Sequence, residues 1–210
     1  MNSSEFLYTA VILTAGESRR MGFPKALLEA GEGRKFIENI FLSLSGIVPE
    51  PSEIIAVLGF HRERILSEAE IPESCRIVFN PDPERGQLSS LIEALKYIKS
   101  EKRVTAGIMM CLVDHPFVDV STFQKIAETA AENPGMVVIP KYSGRKGHPV
   151  FFPSEIFEDL LESPLEEGAR HAVNKNRDRL IVVDVDDPAI LKDVDTPSDY
   201  RNHTGRNPGE

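Results

Sequence analysis

Residues 11–28, VILTAGESRRMGFPKALL, place two glycines, two adjacent arginines and a Pro-Lys pair directly after a short apolar run. A loop that only joined two elements would be shorter and less basic. Gly16 and Gly22 allow close approach of backbone to a ligand, because neither carries a Cβ. Arg19 and Lys25 supply positive charge. Pro24 fixes the backbone immediately before Lys25 and so aims its side chain. A triphosphate, with about four negative charges, needs both charge and close backbone approach. The spacing is neither G-x-x-x-x-G-K-[ST] nor G-x-G-x-x-G, which excludes the P-loop and dinucleotide fingerprints.

Carboxylates and histidines are the next candidates. Asp114 ends an apolar run and precedes His115-Pro116, a position that turn aspartates also occupy. Asp195 stands in DVDTP, where Asp and Thr equally suit the cap of a helix starting at Pro197. A nucleoside triphosphate normally arrives with Mg²⁺, an ion that takes one or two carboxylates and fills its octahedron with phosphates and water. His61 and His203 read as surface residues, His171 as structural, and His115 as placed to orient Asp114. His148 stands out in KGHPV. There is no G-x-S-x-G elbow. None is needed if the nucleophile is a phosphate monoester, which is already anionic; positioning and charge neutralisation then lower most of the barrier.

The bulk properties fit such a site on an ordinary soluble chain. Its 210 residues suit one domain with a real core, expected over 1–201 and followed by a flexible polar tail, 202–210. The net charge of −9 argues against a broad nucleic-acid-binding surface, so the basic loop is a local feature on an acidic protein. Cys75 and Cys111 have neither disulfide-framework nor zinc-site spacing and read as buried thiols. The apolar stretch 6–15 is too short to span a membrane and lacks a basic leader, which points to a cytoplasmic protein.

The elements that must hold these residues alternate between strand and helix. Strands are expected at 8–13, 53–58, 76–80, 107–113 and 136–140, and helices at 36–44, 62–70, 88–99 and 121–131. Beyond Gly147 follow a strand in GHPVFF, helices at 153–162 and 168–175, a strand at 180–185 and a last short one at 191–195. The continuous apolar runs IIAVL and GIMMCLV suit strands covered on both faces. The expected fold is therefore α/β: a doubly wound, mostly parallel sheet with helices on both faces, three-layer α/β/α. Ligands in such sheets bind at the carboxyl ends of strands near a switch in strand order, here after Thr14 and after Asp114.

LTAGESRRMGFPKALL resembles the L-x-[AG]-G-x-S-x-R-M-G-x-P-K-x-L signature of the MobA-like nucleotidyltransferases, which transfer cytidylyl or guanylyl groups to molybdenum cofactor. GQLSSLIEAL (86–95) is similar to that family's Gly-x-x-x-Ser-Leu segment, LVDHP (112–116) to its metal-binding Asp-x-Pro turn, and RKGHPVFF (145–152) to its Gly-His-Pro strand. EGAR (167–170) resembles its Gly-Ala-Arg, and DVDTPSDY (193–200) its Asp-x-Asp-Thr-Pro-x-Asp-Tyr ending. The segments run in the family's order from about residue 8 to 200. Thr14, Gln87-Leu88, His115 and Glu166-Glu167 depart from the usual pattern.

The resemblance implies a nucleotide site made by Leu13, Thr14, Ala15, Gly16, Ser18, Arg19, Gly22 and Lys25, together with Gly86, Ser89 and Ser90. It implies Mg²⁺ on Asp114 and Asp195, and catalysis by Lys25, Arg19 and Asp114. The acceptor is expected near His148 and Arg170. Ala15 favours CTP, because the guanylyl branch resembles Leu-Ala-Gly-Gly, with glycine where Ala15 stands. The expected reaction joins CMP to molybdopterin cofactor and releases pyrophosphate, with a molybdoenzyme as recipient of the product and neither nucleic acid nor membrane as partner. The alternatives are the same chemistry on a sugar phosphate or alcohol phosphate, or with GTP, and a non-catalytic nucleotide-binding or cofactor-delivery protein.

Overall fold

The runs TAVILT and GIMMCL are buried at every position because helices cover both faces of the strands they form. The computed structural model describes residues 6–209. The chain begins with β1 (Thr9–Thr14), a short hairpin of β2 (Glu29–Gly31) and β3 (Arg34–Lys35), and α1 (Phe36–Ser45). It continues with β4 (Glu53–Leu58), α2 (Arg62–Glu68), β5 (Cys75–Phe79), α3 (Gln87–Ser100) and β6 (Gly107–Leu112). Then come α4 (Val120–Glu132), β7 (Val137–Tyr142), β8 (Arg145–Lys146), β9 (Val150–Pro153) and α5 (Phe157–Glu162). α6 (Arg170–Lys175), β10 (Leu180–Asp184) and α7 (Pro197–Thr204) complete it.

Eight strands form one sheet in the order β10-β7-β9-β6-β1-β4-β5, with β8 on β7. β1 pairs in parallel with β4 on one side and β6 on the other. The chain thus winds outward through β4 and β5 and then returns to the opposite edge of β1, which puts the switch in strand order at the carboxyl ends of β1 and β6. β9 runs antiparallel between β6 and β7, so the sheet is mixed but mostly parallel.

Alternate residues of β1 divide the core. Ala10 and Ile12 face α1, α4 and α7, packing with Phe36, Ile40, Phe123 and Tyr200. Val11 and Leu13 face α3, α5 and α6, packing with Leu91, Leu95 and Leu160. α1 alone buries Phe36, Ile37, Ile40, Phe41 and Leu44, each worth roughly 1.5–3 kcal/mol when fully withdrawn from water. Both cysteines are buried and free, and burial pushes their thiols up, Cys75 to about 11.

Three local expectations differ from what forms. Residues 191–195 are not a strand: Asp187 accepts from Ala189 N at 2.9 Å and Pro188 opens a 3₁₀ turn over Pro188–Leu191. Beyond it, Val194 N makes a single 2.8 Å bond to Asp114 O rather than a ladder. The helix expected over 153–162 divides into a 3₁₀ turn, Ser154–Ile156, and α5. The last helix takes residues 202–204 of the segment expected as a tail, and Arg206 pairs with Glu29. No helix among the described residues is long and apolar enough to cross a membrane.

Candidate nucleotide site

At the switch point lies a cleft of about 260 Å³. Its wall begins where β1 ends. Leu13, Thr14, Ala15 and Gly16 line it, followed by Ser18, Arg19, Arg20, Pro24 and Lys25 from the basic loop. The loop is held by its own backbone. Met21 N and Gly22 N both donate to Ser18 O at 3.0 Å, and Ser18 and Gly22 take positive φ of 58° and 71°. Lys25 N then donates to Ser18 Oγ at 3.2 Å, so the serine joins both ends of the turn. Gly22 shapes the loop without lining the cleft. Pro24 opens the 3₁₀ turn Lys25–Leu27, whose Ala26 and Leu27 are buried and anchor the base of the lysine.

Lys25 meets both candidate carboxylates. Its Nζ is 3.2 Å from Asp114 Oδ2 and also donates to Asp195 Oδ1, while Arg20 Nη2 donates to Asp195 Oδ2 at 2.6 Å. The side chains of Lys25, Asp195 and Asp114 are only 13%, 18% and 26% exposed. Burial pushes the Asp195 carboxyl up, but the hydrogen bond and charge of Lys25 and the charge of Arg20 outweigh it and hold the group below the usual carboxylate range. Val194 N to Asp114 O ties the two aspartate segments together. A capping box at the start of α7, Thr196 with Asp199, then fixes the backbone just past Asp195.

Arg20 was not among the expected catalytic residues; Arg19 was. Arg19 is 78% exposed and paired with Glu17 at 2.5 Å on the rim of the cleft, while Arg20, itself 71% exposed, reaches Asp195. The quoted signature, aligned on Ser18 and Met21, also puts its arginine at Arg20, which is the signal that could have found it.

The opposite wall comes from α3 and from the segment that leads into α2. Gly86, Gln87 and Ser90 line the cleft at the amino end of α3, where unsatisfied backbone N–H groups favour an anion. Ser89 is buried and serves the wall from behind: it accepts from Asn80 Nδ2 at 2.8 Å and donates to Gly86 O at 2.7 Å. Asn80 also donates to Ser90 Oγ at 3.0 Å and accepts from Asp82 N at 2.9 Å, making it the organiser of this wall. Ala15 is buried beside Gly59, where an added Cβ would lie 2.5 Å from Ala15 O and 2.8 Å from Ala15 Cβ. Only glycine lets β4 turn this close to the end of β1. His61, expected at the surface, lines the cleft and contacts Glu17 O at 2.8 Å.

The acceptor candidates lie outside this cleft. His148 sits 5.3 Å from His115, ring to ring, and its Nδ1 is buried without a hydrogen-bond partner. Burial, with the neighbouring His115, pushes its imidazole down to about 4. Arg170 is exposed at the start of α6. A smaller depression of about 150 Å³ shares Gln87 with the nucleotide cleft and runs along residues 165–169, ending one residue before Arg170 and not reaching His148. Of the remaining histidines, His171 pairs with Glu167 and His203 stacks on Phe117.

Comparison with known proteins agrees with this fold. The molybdenum cofactor cytidylyltransferase of Escherichia coli K12 is 25% identical over 193 residues, covering 90% of this chain and 92% of its own length. A probable molybdenum cofactor guanylyltransferase of Rhodopirellula baltica is 27% identical over 129 residues, 61% of this chain and 58% of its own. Among solved structures, Rv0371c from Mycobacterium tuberculosis superposes with a TM-score of 0.79 at 26% identity, over 96% of this chain and 98% of that one. The same protein has been crystallised in complex with manganese. Residues 10–180 match the MobA-like NTP transferase domain, so the chain belongs to that family and is a nucleotidyltransferase.

Proposed function

We propose that this enzyme transfers the cytidylyl group of CTP to the phosphate of a molybdopterin-type acceptor and releases pyrophosphate. The observation that carries the reading is the meeting of Lys25, Asp114 and Asp195 beneath a basic loop at the switch point of the sheet. Two carboxylates converging on one cation are a donor set that suits a divalent ion, which prefers oxygen ligands and completes its shell with phosphate and water. When bound there, Mg²⁺ supplies charge neutralisation at the α-phosphate and the departing pyrophosphate. The mycobacterial relative's crystallisation in complex with manganese supports the use of a divalent ion.

An acceptor phosphate oxygen attacks the α-phosphorus, forming the new P–O bond as the bond to the β-phosphate oxygen breaks. The attacking oxygen is already anionic and the bridging oxygen leaves with the bonding pair as part of pyrophosphate, so no proton has to be removed from the nucleophile and no general base is required. Lys25 and Arg20 stabilise charge on the phosphates as it shifts toward pyrophosphate, and Arg19 at the rim draws the triphosphate in. The backbone N–H groups at the start of α3 face the ligand. Ala15 and the Gly59 turn against it limit the depth available to the base, which favours a pyrimidine. His148 and Arg170 hold the acceptor, the arginine by its fork of donors toward phosphate.

Guanylyl transfer is the competing reading, since a relative carries that name. A matrix of CTP, GTP and other triphosphates against molybdopterin cofactor and other phosphate acceptors, read by product mass and pyrophosphate release, separates them. Product with GTP but not CTP would replace the cytidylyl reading. Pyrophosphate release with sugar phosphates alone would replace the acceptor.

A further inference from the structure

Both carboxylates at the base of the cleft are already paired with the protein's own cations. Asp195 gives Oδ1 to Lys25 and Oδ2 to Arg20, and Asp114 gives Oδ2 to Lys25. Two carboxylates and two cations leave the group with no net charge to attract a divalent ion. Of the four, the aspartates are held by backbone: Val194 N bonds to Asp114 O, and Asp195 N donates to Asp199 Oδ2 at 3.2 Å. Beyond these two carboxylates, Lys25 is held through its backbone by Ser18 and carries its ammonium on four flexible methylenes.

We propose that Lys25 is an exchangeable counter-ion: in the free protein its ammonium fills the divalent-ion position between Asp114 and Asp195, and a nucleoside triphosphate draws it away. This rests on the reading that these two aspartates hold the ion. The triphosphate offers Lys25 and Arg20 a richer anion, and their departure uncovers two adjacent carboxylates beside newly arrived phosphates. The divalent ion then has both ligand types it needs, and a reason to lose water that neither ligand gives alone. Ion and nucleotide therefore bind as a linked pair, each raising the affinity for the other by the same factor. The exchange guards the site against free divalent ions and spares the lysine from facing an uncompensated cation.

Mn²⁺ titration of the nucleotide-free protein, followed by the loss of the free-ion EPR signal, tests the exchange without any turnover. Lys25→Met keeps most of the stem and removes the charge; Lys25→Gln serves if the methionine variant does not fold, as judged by circular dichroism. The uncharged variant is expected to bind Mn²⁺ about tenfold to a hundredfold more tightly than the unaltered protein, within the usual range of linked sites. Adding Asp195→Asn to it should abolish that gain. In the converse arm, Asp195→Asn alone should bind CTP more tightly in EDTA, because Lys25 and Arg20 are released to the phosphates. If the unaltered protein binds Mn²⁺ as tightly as the Lys25 variant, and both lose it with Asp195→Asn, the metal site stands and the counter-ion role is overturned. If neither protein binds Mn²⁺, the metal assignment falls and the exchange falls with it. Unchanged or weaker CTP binding by Asp195→Asn in EDTA also overturns it.

Discussion

The two sides of the sheet are built differently. Around β1, β4 and α3 the walls are backbone: a loop closed on Ser18 O, a glycine turn pressed on Ala15, and a helix end braced by Asn80. Around β7, β9 and α6 the candidate groups are isolated side chains, His148 with an unpartnered ring nitrogen and Arg170 exposed. A triphosphate is common to many substrates and can be met by fixed backbone. An acceptor distinguishes one pathway from another and is met by side chains that vary without disturbing the sheet. The nucleotide side should therefore carry the rate and the acceptor side the choice of partner, and that division can be tested.

The largest effects belong at the junction of the two sides. Asp114→Ala should reduce kcat/KM by about a thousandfold, the scale of losing a charge-neutralising part in phosphoryl transfer. Lys25→Ala should lower kcat by about a hundredfold, as for loss of one transition-state donor. Circular dichroism should show both folded, since neither side chain belongs to the apolar core. Steady-state kinetics with CTP and acceptor varied separately makes the check. Near-normal activity of Asp114→Ala at saturating Mg²⁺ would remove it from the metal site, and a pure KM effect for Lys25→Ala would make the lysine a docking charge.

Base choice should come next in size. CTP is expected to exceed GTP by at least about tenfold in kcat/KM, or roughly 1.4 kcal/mol, and Ala15→Gly should narrow the gap. Competition between the two nucleotides in one reaction reads this directly. Equal use of both by the unaltered protein would detach Ala15 from selectivity.

How much of this was legible follows the same division. The basic loop could be read because its glycines, serine and lysine lie within one short segment whose spacing is set by covalent geometry. The parallel core could be read because strands covered on both faces must be apolar throughout. Asn80 and His61 could not, since one braces the cleft wall and the other lines it from the ends of different strands, and nothing in the sequence gives strand order. The β2–β3 hairpin went unseen because two- and three-residue strands around Glu32-Gly33 are too short to show alternation. The short strand expected at 191–195 failed because capping by Asp187 and Pro188 outweighed its two apolar residues, Leu191 and Val194. The signature's spacing from Ser18 to Met21 marks Arg20 rather than Arg19, and Arg20 is the one that meets Asp195 while Arg19 pairs with Glu17.

On the acceptor side the sharper test is stability. The imidazole of His148 is lowered from 6.5 to about 4 in the folded protein, so the unfolded chain takes up this proton first as pH falls. Its contribution is complete above pH 6.5 and is lost progressively between 6.5 and 4, by up to about 3 kcal/mol at 1.36 kcal/mol per unit. His148→Gln should flatten that part of the stability profile in urea titrations at each pH, and should raise KM for the acceptor while leaving KM for CTP unchanged. A profile identical to that of the unaltered protein would mean that the ring is hydrated and free to charge. The acceptor side would then be open rather than closed around a neutral imidazole.

The smallest expected effect distinguishes two neighbours. Arg19 is exposed and paired only with Glu17, and a surface ion pair of this kind is worth about 0–1 kcal/mol. Its influence on the triphosphate acts through solvent and should fade as salt is raised, since charges at the rim are screened over about 8–10 Å at ordinary ionic strength. Arg20 is also largely exposed, but its guanidinium meets Asp195 at 2.6 Å, within reach of the phosphates that would replace that carboxylate. Arg19→Ala should therefore raise KM for CTP only about threefold and lose even that at high salt, whereas Arg20→Ala should raise it about tenfold or more and retain the deficit. Measuring both variants at low and high salt separates steering from contact. A larger, salt-resistant loss at Arg19 would mean that the loop turns over when nucleotide enters, and that the rigid backbone wall proposed for this side is itself a moving part.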